Sequence, residues 1–201
     1  MSASRVLAFI SPGPRYSDVF VWLEPMVVRL PPSERTERLL LRRPLRADLD
    51  FLVDLFSRPE LVAHRPDPTP DTPEQSAARL ERDIEHWERH GFGRWAAEAD
   101  GGLVGFGGVT ISADFEGLNL SYHLHPESWG RGYATELVEH ALRAAFGPLR
   151  AFRVVGLARP ANPASRRVLE RCGLVFERDV MMHGASTGLY AISAAGFAER
   201  M

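Results

Sequence analysis

With 201 residues, 45% of them apolar and 25% charged, the chain has the composition of an ordinary globular domain long enough for one sizeable core. A formal charge of −2 supplies no basic field for nucleic acid, and no unbroken apolar run reaches the ~20 residues that span a bilayer, so neither partner is expected. The single cysteine, Cys172, excludes an internal disulfide and suits a reducing compartment, which makes the cytoplasm the expected location.

Taken in chain order, residues 1–33 stand apart from the rest. Val6 to Ile10 is too short for a signal core, and the apolar stretch Val19 to Val28 is broken by Glu24 and Pro25, so no targeting signal is expected. Three readings stay open for this extension: an arm laid on the domain, an arm laid on a partner subunit of a homodimer, or untranslated sequence ahead of a start at Met26. The domain itself is expected over 34–201. A strand at 38–43 leads to a helix at 47–57 and a second at 73–90, which Thr72 and Gln75 open as a capping box with Pro73 at the first helical position. Strands follow at 93–99 and 103–111, joined by the tight turn Asp100-Gly101-Gly102. A further strand at 117–124 alternates apolar and polar side chains through Leu118-Asn119-Leu120-Ser121-Tyr122-His123-Leu124. A helix at 133–146, a strand at 152–158, a helix at 163–172 and closing strands at 174–182 and 187–193 complete the order. No internal repeat is present.

The junction Trp129-Gly130-Arg131-Gly132-Tyr133-Ala134-Thr135-Glu136 is the most telling stretch. Gly130 and Gly132 permit positive φ and close approach of the main chain to a ligand. The first turn of the helix then presents unpaired N–H groups and a partial positive charge, so an anion belongs there. The chain has no lysine, which excludes a P-loop, and the glycine spacing does not match the dinucleotide fingerprint. A second element begins with Asn162-Pro163-Ala164-Ser165, where Asn162 caps, Pro163 opens the helix and Gly173 stops it.

Together the two elements resemble the GNAT superfamily of N-acetyltransferases, and the Asn-x-x-Ser element resembles its Rim-type branch, named for acetylation of ribosomal-protein N-termini. Thr36 to Arg42 looks like the opening strand of that branch and Leu189 to Ser193 like its closing one, so the resemblance covers about residues 34 to 200. It implies a single α/β domain: a mixed, twisted sheet of about six or seven strands with helices on both faces. The family's splayed fourth and fifth strands would place Leu118 to Leu124 and Phe152 to Ala158 either side of the pantetheine of acetyl-CoA. The implied cofactor contacts are Leu124, Trp129, Gly130, Arg131, Gly132, Tyr133, Ala134, Thr135, Asn162 and Ser165. Trp129 also reads as a packing residue, and Arg131 as either a phosphate contact or a solvated side chain.

The chemistry so implied is acyl transfer from a thioester to an amine. Ser165 matches the serine that protonates the departing thiolate, with a second helix cap as its structural alternative. Asn162 matches a ligand of the pantetheine amide as well as a cap. Asn119 stands where many Rim-type sequences carry a glutamate, and an amide accepts no proton at working pH. His123 on the same strand and Glu98 on the hairpin strand are the titratable substitutes; alternatively water takes the proton. An α-amine, with a pKa of about 7.7 to 8.0, needs less help than a lysine near about 10.4. Asn119 and Ser121 are the expected substrate contacts, with the thioester between Ser121 and Ser165. No metal is expected, since His123 and His125 have no third ligand at a recognisable spacing. Three functions remain: a protein N-terminal acetyltransferase with an open, acidic acceptor cleft, a small-molecule amine acetyltransferase, or an acyl-CoA-binding protein without catalysis.

Overall fold

The computed structural model describes residues 28–200. The readings offered for residues 1–27 and a start at Met26 lie outside the described residues. The chain runs β1 (Ser33–Arg35), β2 (Leu40–Arg42), α1 (Leu49–Ser57), α2 (Pro59–Val62), α3 (Pro73–His90), β3 (Arg94–Ala99), β4 (Gly102–Ile111), β5 (Leu118–Leu124), α4 (Tyr133–Phe146), β6 (Arg153–Ala158), α5 (Pro163–Arg171), β7 (Val175–Met182), β8 (Ala185–Ser193) and α6 (Ala194–Ala198). Short 3-10 turns precede α1 and α4. Among the described residues no helix is long and apolar enough to cross a membrane.

The helices form where the sequence places their caps. Thr72 accepts from the N–H of Gln75 and the Gln75 side chain accepts from the N–H of Thr72, so α3 starts at Pro73; Gly91, at φ +76°, ends it. Its buried positions Ser76, Leu80, Asp83 and Trp87 recur at helical spacing and turn one stripe inward. α4 opens at Gly132 and buries Leu137, Val138, Ala141, Leu142 and Ala145.

The strands form one sheet in the order β1-β2-β3-β4-β5-β6-β8-β7, antiparallel throughout except for the β5–β6 pair. The α/β class holds, but the strand count is eight rather than six or seven. The addition is β1, whose Ser33, Glu34 and Arg35 show no apolar alternation and are ordered by pairing with β2. Ahead of residue 34, Leu30 is buried in the core and its N–H donates to the carbonyl of Gly91. α2 and α6, too short to show a period, are the other elements absent from the sequence reading.

Register decides which helices cover which face. Ala96, Phe106 and His123 lie opposite one another across β3, β4 and β5, and Ala96 and Phe106 pack under α1, α2 and α3. The intervening residues Trp95, Leu120 and Leu124 join the core beneath α4 and α5. β5 and β6 pair only from Leu118 with Val154 to Leu120 with Gly156. Past that point the two strands part, and the fork so made opens toward the ends from which α4 and α5 start.

Candidate active site

The glycine turn is pinned to the end of β5 by the Trp129 indole N–H, which donates to the carbonyl of Leu124 at 2.8 Å. Gly130 and Gly132 both take left-handed backbone, at φ +74° and +82°. A Cβ on Gly130 would meet nothing within 4 Å, so its first requirement is conformational and the space beside it is open. From Gly130 to Thr135 the main-chain N–H groups find no acceptor among the described residues. A row of bare donors at the start of a helix is the arrangement that binds a diphosphate.

Arg38 braces this row from the opposite side. Its Nη1 donates to the carbonyl of Arg131 at 2.7 Å, its Nε donates to Glu136 at 2.7 Å, and its guanidinium lies over the Tyr133 ring. Glu136 also accepts from the main-chain N–H of Arg38 and from the Thr36 hydroxyl. Burial works to raise the Glu136 pKa, but these hydrogen bonds prevail and hold it below the usual glutamate range. A depressed carboxyl stabilises the fold above its unfolded pKa and loses that contribution as pH falls through the folded one. Lowering the pH from about 6 to about 3 should therefore erode stability, and Glu136→Gln should flatten that part of the curve. Urea midpoints across the range test this; an unaltered slope in the variant refutes it. The Arg131 side chain is mostly exposed, 3.5 Å from Asp100.

Ser165 sits in the first turn of α5, where its N–H donates to Asn162 Oδ1 at 3.0 Å. That bond uses the amide oxygen of Asn162 as the helix cap and leaves its NH2 group without an acceptor among the described residues. The Ser165 hydroxyl is not part of the cap. It lies 2.9 Å from the hydroxyl of Tyr122, which also donates to the Ser165 carbonyl at 3.2 Å. Tyr122 belongs to the stretch of β5 that has parted from β6, so the two hydroxyls meet in the fork. Burial pushes the Tyr122 phenol well above its usual range, against the contact with Ser165, so it is protonated at any working pH. Cys172 packs nearby, its Sγ directed at the carbonyl of Thr135, and burial pushes its thiol up to about 11. A thiol so held is no nucleophile.

On the other face of β5 lie Asn119, Ser121 and His123. Asn119 pairs in register with Thr110 and Ser121 with Gly108. The His123 ring stands 5.1 Å from Phe56. Burial, followed by the fields of Arg79, Arg94, Arg65 and His64, holds this imidazole well below its usual pKa. Arg65 and Arg79 both stack on Phe56 and both pair with Asp71. Glu98 is taken up by Arg42 at 2.6 Å, and Arg42 grips Asp48 with both terminal nitrogens. The fold thus brings Glu98 to Arg42 and not to Ser165. His125 turns away from His123 to meet Asp54 at 3.0 Å. Among the described residues no three metal-ligating side chains cluster.

Arg38 and Tyr122 were missed by sequence reasoning. Strand alternation does set Tyr122 on the face opposite His123, but only the position of α5 shows what that face meets. Arg38 carried no signal beyond opening a strand.

The chain matches the family described as Acetyltransferase (GNAT) domain over residues 38–175. It is 33% identical over 92 residues to the FsC-acetyl coenzyme A-N(2)-transacetylase of Aspergillus fumigatus; this covers 42% of the present chain and only 39% of that protein. Among solved structures, an acetyltransferase from Agrobacterium tumefaciens superposes with a TM-score of 0.71 at 26% identity, covering 81% of this chain and 95% of that one. The ribosomal-protein-S5-alanine acetyltransferase of Vibrio fischeri shares the fold, with a TM-score of 0.65 at 19% identity over 81% of this chain and 96% of its own.

Proposed function

Because the chain belongs to the GNAT acetyltransferase family, which moves an acetyl group from acetyl-CoA to an amine, we propose that it acetylates the primary amine of a small molecule by direct attack within a ternary complex. The observation that carries this reading is the Ser165–Tyr122 hydroxyl pair in the fork between β5 and β6. In a protein that only bound acyl-CoA the pair would be no more than a tie between β5 and α5.

Acetyl-CoA supplies the activated acetyl group. The bare N–H groups from Gly130 to Thr135 hold its diphosphate, and the free NH2 of Asn162 serves its pantetheine. The amine nitrogen forms a bond to the carbonyl carbon as the carbon–sulfur bond breaks, and Ser165 gives its hydroxyl proton to the departing thiolate. Tyr122, which keeps its own proton, orients the Ser165 hydroxyl, and water returns a proton to Ser165. The proton lost by the amine passes to water. His123 is too weakly basic in its field of arginines to take it efficiently, and Glu98 is committed to Arg42.

A small-molecule acceptor is favoured over a protein N-terminus by the charge beside Asn119, Ser121 and His123. An acidic cleft would draw in a cationic peptide terminus, whereas Arg65 and Arg79, whose fields reach His123, share one carboxylate, Asp71. Release of the CoA thiol from acetyl-CoA, followed across peptides, aminoglycosides, polyamines and amino acids, tests the reading. Thiol release is expected with small amines and not with peptides. Calorimetric binding of acetyl-CoA with no release for any amine would leave a binding protein instead.

The cradle has its own test. Gly130→Ala should cost about 1 kcal/mol of stability through its positive φ alone, since its Cβ meets nothing. The same change should weaken acetyl-CoA binding by about tenfold, equivalent to about 1.4 kcal/mol. An unchanged Kd by calorimetry would remove the turn from the site.

A further inference from the structure

We propose that the amine acceptor carries a carboxylate, recognised by Arg159; this rests on the acetyltransferase reading above and names its substrate class. Arg159 is the first residue after β6. On that strand Val155 and Leu157 turn away from α4 and α5, packing with Leu189, Ala191 and Val180. Strand alternation puts Arg159 on the same side. Asn119 lies opposite Val155 in register, so this is also the face of Asn119, Ser121 and His123. Arg159 therefore stands at the end of β6 on the acceptor side of the sheet, its guanidinium reaching the end of β7 at Met182 and its field reaching His64.

Its partners are what single it out. Arg65 and Arg79 share Asp71, Arg94 has Asp83, and Arg42 has Asp48 and Glu98. Arg159 has no carboxylate among the described residues. Its Nη2 reaches only the carbonyl of Met182 at 3.5 Å, a long contact. Its Nη1 is shut off from solvent and meets no acceptor among the described residues. A guanidinium with an unanswered buried donor bears a desolvation cost that an anion removes, and a carboxylate matches its planar donor fork. The field of Arg159 is felt locally: after burial and Arg65, it is the next influence depressing the His64 imidazole.

The main chain ties this cation to the acid. The Asn162 N–H donates to the Arg159 carbonyl at 2.9 Å, closing the turn from which Asn162 caps Ser165. A guanidinium and a proton donor six residues apart, joined by this turn and the start of α5, suit a compact acceptor with its amine and carboxylate a few bonds apart, as in an amino acid. Diamines and polyamines would bring a second cation to the same place.

The experiment compares amino acids with their carboxamides as acceptors in the thiol-release assay with acetyl-CoA. The acid of a pair should exceed its amide in kcat/KM by at least about tenfold, the range of a charge-assisted hydrogen bond. Arg159→Gln should collapse that ratio toward one through KM for the acid, and Arg159→Lys should keep part of it. Comparing ratios between variant and native chain cancels the intrinsic difference in amine basicity. Equal use of acids and amides, a preference for polyamines, or a ratio that survives Arg159→Gln overturns the assignment while leaving the acetyltransferase intact. No thiol release with any amine overturns both.

Discussion

Ser165→Ala is expected to lower kcat about a hundredfold while leaving the Kd for acetyl-CoA within about twofold. General acids contribute about 10²- to 10⁴-fold, and the low end applies here because a thiolate, with a pKa near about 8.5, is already a fair leaving group. The substitution is clean for a structural reason. The α5 cap is made by Asn162 Oδ1 to the Ser165 N–H, a main-chain donor that alanine keeps. What is lost is the hydroxyl 2.9 Å from Tyr122. Tyr122→Phe should slow turnover less, by about tenfold, because the serine proton is still present for the thiolate and only the contact that orients its hydroxyl is lost. Single-turnover kinetics separate this loss from binding and product release. If Ser165→Ala turns over as fast as the native chain, the proton comes from elsewhere and the hydroxyl pair is only a tie between β5 and α5.

Asp83→Ala is expected to cost about 3 to 5 kcal/mol, the largest effect on stability of any change considered. Asp83 lies on the inward stripe of α3 with its side chain 4% exposed, paired at 2.6 Å with Arg94 at the start of β3, itself 16% exposed. Burial pushes the Asp83 carboxyl above its ordinary range against the pull of Arg94, a sign of how little water reaches the pair. Removing the acid leaves a buried guanidinium uncompensated. For a domain of this size the loss corresponds to a fall in Tm of about 10 °C. Replacing both partners, Asp83→Leu with Arg94→Met, should recover most of it, since the cost lies in the stranded charge. Urea denaturation of the two variants decides the matter; a single substitution costing under about 1 kcal/mol would show that water reaches Arg94 after all.

The elements with strong local signals were legible in the sequence. The α3 and α4 ranges, Pro73–His90 and Tyr133–Phe146, agree with those expected from the capping box at Thr72 and the glycines ahead of Tyr133. β1 was not legible because three polar residues have no period, and only the ladder with β2 gives them a conformation. The candidate site divides in the same way. The turn at Gly130 and Gly132 is a local backbone property, whereas Arg38 reaches Glu136 from 98 residues away and Tyr122 reaches Ser165 from 43. Nothing in either neighbourhood foretells those meetings. Glu98 and His123 show the reverse case, since titratable type and strand position recommended both, yet what surrounds them in space, Arg42 for one and burial followed by the fields of three arginines for the other, governs their chemistry.

By itself the sequence determined the helix caps, the left-handed glycines and the strand alternation, because each depends on the conformational preferences of a few consecutive residues. The family followed from the resemblance of the glycine turn and the Asn-x-x-Ser element, and from the match over residues 38–175. Only the tertiary structure decided that Tyr122 meets Ser165, that Arg38 pairs with Glu136, and that Arg159 is left without a carboxylate among the described residues. Hydrogen bonding and charge compensation act through space, and the groups that answer one another here are joined by the sheet order and not by proximity along the chain.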